Sequence, residues 1–154
     1  MIRVHLAHGI LEREGHVLLV ASQYRNHREP LWNLPGGRQR SGELLEETVR
    51  REFIEEVGLL PQVLDLRYVA ESYDRDADTH FTSFVFRVTS VGIPSTSAGD
   101  AHVVEHDWVA FEHLRQRLTV PVVRDPLLAH LLDPRKRYFG FPEAGITIEF
   151  LDEA

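Results

Sequence analysis

Glu43, Glu46, Glu47, Arg50, Arg51, Glu52, Glu55 and Glu56 crowd one short stretch of this chain. Three of the carboxylates, on Glu52, Glu55 and Glu56, stand at i, i+3 and i+4. At about 100° per helical residue, Glu56 lies about 40° to one side of Glu52 and Glu55 about 60° to the other. A helix therefore gathers all three within a sector of about 100°. Negative charge concentrated in this way is unfavourable unless a cation sits among it. Clustered oxygen ligands suit a hard divalent ion, Mg²⁺ or Mn²⁺. Such an ion holds a phosphate chain while water attacks it. The chain has no cysteine, so a thiolate zinc site is excluded.

An arbitrary glutamate-rich helix is a solvated face laced with i,i+4 ion pairs. The surrounding residues argue against that here. Gly37, Glu43, Arg51, Glu52, Glu55, Glu56 and Gly58, with apolar Phe53 and Leu59, satisfy the pattern G-x5-E-x7-R-E-U-x-E-E-x-G-U, where U is apolar. In this stretch the chain resembles the Nudix hydrolases. Trp32, Leu34, Pro35 and Gly36 are similar to that family's approach to its signature. Glu46 and Glu47 fall at unspecified positions and read as solvated.

The resemblance implies a role for each matched residue. Glu52, Glu55 and Glu56 correspond to the family's metal-binding carboxylates, and the carbonyl of Gly36 to a further oxygen ligand. Arg51 corresponds to an orienting partner of a signature glutamate. Gly37 and Gly58 correspond to structural positions, and Glu43 to either structural support or an outer metal ligand. The run Glu105-His106-Asp107-Trp108-Val109 resembles the E-x-x-W-V stretch of many members. Glu105 is thereby a candidate metal ligand or general base, competing with Glu52. The implied activity is Mg²⁺-dependent hydrolysis of the P–O–P bond in a nucleoside diphosphate linked to another group. A (d)NTP, a nucleotide sugar, a dinucleoside polyphosphate and the 5′ end of RNA all remain open as substrates. Some families of ADP-ribose hydrolases carry a proline about 15 residues beyond the signature, where this chain has Asp74. The rival reading is a Nudix fold that binds a nucleotide without cleaving it. Loss of signature glutamates would mark such a protein, and none is lost here.

Outside the signature, residues 23–28 (QYRNHR) are locally basic in an acidic protein. Arg25 or Arg28 suits a terminal phosphate, and Tyr24 suits stacking on a base. The nine histidines show neither HxxxH nor HExxH spacing, so ordinary structural roles are expected for most.

These residues need elements to position them. Residues 4–11 and 17–22 read as strands joined by a turn at 12–15. A helix follows to about Val57, with Ser41 as its N-cap, Gly58 as its C-cap, and Leu45, Val49, Phe53 and Val57 as its core stripe. Residues 64–71, 80–88 and 105–110 read as further strands, 111–118 and 124–132 as helices, and 146–150 as a last strand. Residues 91–100 read as an irregular loop. This order suggests an α/β fold, an α/β/α sandwich with a mixed sheet, which is also what the Nudix resemblance implies.

With 154 residues and 43% apolar content, residues 1–154 read as a single domain with a real core. Residues 133–154 read as a C-terminal extension packed on it. Its aromatics Tyr138, Phe139, Phe141 and Phe150 either cover the domain's own sheet or form a homodimer edge. A net charge of −7 argues against general nucleic-acid binding, though not against one phosphorylated small molecule. No apolar run of 18 residues is present, so a membrane partner is not expected. The N-terminus lacks a signal-peptide layout, and a cytoplasmic location is the expectation.

Overall fold

The computed structural model describes residues 1–96 and 102–149. The second strand, β2 (His16–Ser22), explains the architecture best. Its sequence HVLLVAS is almost continuously apolar, the signature of a strand covered on both faces. Successive side chains alternate between those faces. Leu18 and Val20 join one buried cluster, while Val17 and Leu19 join the other.

A long first strand, β1 (Ile2–Arg13), carries the rest of the sheet. It runs parallel to β6 (Thr79–Thr89) from Ile2 to Leu11 and turns through Glu14-Gly15 into β2. β6 pairs antiparallel with β5 (Gln62–Asp74), and β5 pairs parallel with β8 (Tyr138–Phe141). On β2 lie the short strand β3 (Leu31–Asn33) and β7 (Val103–Ala110), both antiparallel to it. A further short strand, β4 (Gly36–Arg38), pairs with β1 at Leu6, Ala7 and His8.

Helices cover the two faces. Helix α1 (Leu45–Val57) packs Val49, Phe53 and Val57 against Ala7, Leu11, Leu18, Val20 and Val88. Phe53 is fully buried, and truncating such a side chain to alanine costs about 3–5 kcal/mol. The other face is covered by a 3₁₀ turn (Phe111–His113), α2 (Leu114–Arg117) and α3 (Pro121–Leu132). Leu114 and Leu127 of these helices, with Leu118 just beyond α2, sit over Val17, Leu19, Tyr68 and Val85. The expected α/β/α sandwich with a mixed sheet is thus the observed fold.

Several boundaries differ from the sequence expectation. Helix α1 begins at Leu45 behind Leu44, not behind Ser41. A turn formed by Glu43 N–H to the Arg40 carbonyl intervenes. Leu44 has no side-chain acceptor, so Glu47 reaches back instead, accepting the Leu44 N–H at 2.9 Å. At the other end Gly58 takes the expected left-handed conformation, φ 67°, and its N–H closes on the Ile54 carbonyl. Helix α3 starts at Pro121, three residues before Arg124, because proline is well suited to a first helical position. Strands β3, β4 and β8 are too short to show a period. The strand expected at 146–150 does not form over 146–149, where side chains share the backbone bonding with main-chain groups. Phe150 lies outside the described residues, as does part of the expected loop 91–100.

Candidate active site

The signature residues assemble around Arg51. Its guanidinium donates to Glu43 twice, Nε to Oε2 at 2.7 Å and Nη2 to Oε1 at 3.0 Å. Nη1 donates to Glu52 Oε1 at 2.7 Å and to Glu55 Oε2 at 3.3 Å, and Nη2 also reaches the Arg38 carbonyl at 2.9 Å. The two-pronged bond to Glu43 is the strong form of a charge-assisted pair. It holds the Glu43 carboxyl down to about 2, with added bonds from the Arg40 N–H and the Thr48 hydroxyl. The same bond to Glu43, followed by that to Glu52, raises the Arg51 guanidinium further above its ordinary value.

Backbone approach defines the other wall. A side chain at Gly37 would place its Cβ 2.8 Å from the Glu52 carboxylate, so only glycine lets β4 lie against that group unstrained. At Gly36, with φ 153°, a Cβ would meet the Ala7 carbonyl oxygen at 2.2 Å. The Gly36 N–H donates to Glu56 Oε1 at 2.8 Å. Glu56 is 2% exposed and Glu52 8%, which is unusual for carboxylates. The second Glu56 oxygen lies 3.8 Å from His102 Nε2. Beside Gly36 on the neighbouring strand is His8, whose burial lowers its imidazole to about 4 and keeps it neutral.

Most of these groups border a cavity of about 760 Å³. Gly36, Gly37, Arg51, Glu52, Glu55 and Glu56 all line it, and so does Tyr24. Glu43 stands behind Arg51 and does not line the cavity. Arg25 and Arg28 are exposed and are not among the lining residues, nor is Glu105, which is exposed and pairs with Ala21 of β2. The cavity is lined instead by Arg38 and Arg40, which occupy unspecified signature positions, and by His8 and His102. The signal for the two arginines lay in their place between Gly37 and Glu43. The two histidines carried none.

Three carboxylates, on Glu43, Glu52 and Glu55, face one guanidinium, with Arg40 at 4.0 Å from Glu55, while Glu56 is held by the Gly36 N–H. Among the described residues no three acidic or imidazole side chains stand as a finished cation cage. Glu52 and Glu55 instead share Arg51 Nη1. The donor set is nonetheless all oxygen, excess in negative charge and partly desolvated, which fits a hard divalent cation.

An α/β/α sandwich with this helix, these glycines and this carboxylate cluster defines a class, and comparison with known proteins agrees. The Nudix domain model matches residues 2–131. The chain belongs to the Nudix family. It is 38% identical over 97 residues to an ADP-ribose pyrophosphatase of Methanocaldococcus jannaschii, covering 63% of this chain and 57% of that relative. The matched stretch thus spans little more than half of that protein. It is 29% identical over 89 residues to an 8-oxo-dGTP diphosphatase of Proteus vulgaris, covering 56% of this chain and 77% of the relative. Among solved structures, the MutT protein of Methanosarcina mazei superposes with a TM-score of 0.73 at 23% identity, covering 88% of this chain and 97% of that one. At that identity the likeness speaks for the fold alone.

Proposed function

We propose that the chain is a divalent-metal-dependent pyrophosphohydrolase that cleaves the P–O–P bridge of a nucleoside diphosphate linked to another moiety. The observation carrying this reading is one cavity lined both by the buried carboxylates of Glu52 and Glu56 and by many apolar side chains. Glu52, Glu55, Glu56 and the Gly36 carbonyl would hold Mg²⁺ or Mn²⁺. The ion supplies neutralisation of phosphate charge and activation of water.

The remaining work falls to side chains. Arg38, at the end of β4, and Arg40, in the loop that follows, line the cavity and meet phosphate oxygens, the role the sequence suggested for Arg25 and Arg28. Tyr24 lies against the nucleoside part. Arg51 positions Glu52 and Glu55 and does not touch substrate. Water attacks one phosphorus, the bridging P–O bond breaks, and the water's proton passes to Glu52. Glu52 is preferred to Glu105 as base because it lines the cavity and Glu105 does not.

The 38% identity to an ADP-ribose pyrophosphatase favours a diphosphate bridging two groups over a nucleoside triphosphate. The place of Asp74 weighs less against it, since this side chain is engaged in structure: it is buried and bonded to Thr147. The test is turnover on ADP-ribose, nucleotide sugars, 8-oxo-dGTP, dNTPs, dinucleoside polyphosphates and 5′-triphosphate RNA, with Mg²⁺ and with Mn²⁺. ADP-ribose or a nucleotide sugar should turn over fastest. Absence of metal-dependent turnover on every member would favour the non-cleaving alternative.

A further inference from the structure

Beyond α3 and β8 the chain returns to the active-site cavity. Residues 144–149 run alongside the β2–β3 loop without joining a strand ladder. Ala144, Ile146 and Ile148 line the cavity. The alternate residues Thr147 and Glu149 bond the other way. Asn26 Nδ2 donates to the Thr147 carbonyl at 2.5 Å, and the His27 ring nitrogen Nε2 lies 2.8 Å from that same oxygen. The Glu149 N–H donates to Asn26 Oδ1 at 2.8 Å, and the Arg25 N–H to the Glu149 carbonyl at 2.7 Å. Two further ties fix the start of the segment. The Ala144 N–H reaches the Tyr73 carbonyl at 2.8 Å, and the Thr147 hydroxyl reaches Asp74 Oδ1 at 3.1 Å.

The segment therefore has two unlike edges. Polar groups fasten one edge to the loop that carries Tyr24, and apolar side chains on the other line the cavity that the carboxylates also line. Phe81, Val120, Val122 and Val123 face the same space. No charged side chain of residues 144–149 lines it.

We propose that residues 144–149 are the specificity wall of the site: Ile146 and Ile148 contact the nucleobase, and the bonds to Asn26 and His27 hold them in place. This rests on the reading of the chain as a nucleotide hydrolase, and it assigns the base-binding half to a segment outside the matched family region, which ends at residue 131. The chemistry is apolar burial of a flat ring, to which two isoleucines contribute on the order of tenfold in affinity. The tail thereby sets which nucleotides are held, and the signature helix sets what is done to them.

The test is binding of non-hydrolysable probes in Mg²⁺ by calorimetry. The α,β-methylene analogues of ADP, GDP, CDP and UDP are compared with methylenediphosphonate, which has the bridge and no base. The wild type should bind the best nucleoside probe at least about tenfold more tightly than methylenediphosphonate. In Ile146→Ala/Ile148→Ala that advantage should fall to within about threefold, with methylenediphosphonate affinity and melting temperature retained. Asn26→Ala, which loosens the tail without altering the cavity lining, should move the same ratio in the same direction. Equal affinity for both kinds of probe in the wild type, or an advantage that survives both variants, would overturn the proposal. Because no probe is cleaved, failure of the wall and failure of the hydrolase reading are separate results.

Discussion

The Gly36 N–H donates to Glu56 Oε1 at 2.8 Å, across a separation of 20 residues. This bond ties strand β4 to the inner side of α1 at a carboxylate that is 2% exposed. It spans the junction between the turn that opens the signature and the glutamate that nearly closes it. The buried Glu56 is thus held by backbone while its second oxygen faces the cavity side near His102.

Replacing Glu56 by glutamine keeps the shape and an acceptor for the Gly36 N–H but removes the charge. Turnover should fall by at least ~100-fold, since partners outside the immediate ligands of a metal alone account for 10–100-fold. Circular-dichroism melting should show little loss of stability. Wild-type turnover in this variant would remove Glu56 from the site.

Gly37→Ala tests the close approach of β4 to Glu52. The added Cβ would lie 2.8 Å from the Glu52 carboxylate, which can swing aside at small cost to stability. Turnover should drop about 10–100-fold through misplacement of that group. The melting temperature should stay within a few degrees of wild type, which separates a displaced base from a damaged fold.

Glu43 and Arg51 should be strongly coupled. A double-mutant cycle on Glu43→Gln and Arg51→Lys, read by urea unfolding, should give an interaction of about 1–3 kcal/mol. The bidentate bond that lysine cannot reproduce is the cause. The folded-state carboxyl at about 2 lies below its ordinary 4.5. The stabilisation is therefore complete above pH 4.5 and is lost as pH falls toward 2. Glu43→Gln should flatten that part of the stability profile.

His8 works in a higher window. Its folded-state value of about 4 lies below the ordinary 6.5, so the unfolded chain binds the extra proton. Stability should fall as pH drops from 6.5 toward 4, by about 3 kcal/mol at most. His8→Leu should lessen the loss in that interval, measured as the change in urea midpoint between pH 7.5 and pH 4.5. An unchanged loss would mean that His8 is protonated in the fold.

What could be read from the sequence was local. Glu52, Glu55 and Glu56 are gathered by a few residues of helical geometry, so their spacing announced them. The stripe Val49, Phe53 and Val57 showed the buried side of the same helix. Residues delivered by long-range register were silent. His8 reaches the site because β1 pairs it with Gly36, and Ile146 because Thr147 bonds to Asn26 and His27, over a hundred positions away. Glu105 shows the converse. Its local stretch matched a familiar pattern, yet Glu105 is exposed and is not among the residues that line the cavity. Arg25 and Arg28 were suggested by local charge, but that loop offers the tail its backbone and lines the cavity through Tyr24.

The central claim is that the α1 carboxylates hold a divalent cation, and titration with Mn²⁺ followed by electron paramagnetic resonance tests it without reference to any substrate. Wild-type protein should remove free Mn²⁺ from the spectrum with saturable stoichiometry. Glu56→Gln should weaken that binding at least ~10-fold. Equal Mn²⁺ binding by the two proteins would place the cation elsewhere and contradict the account.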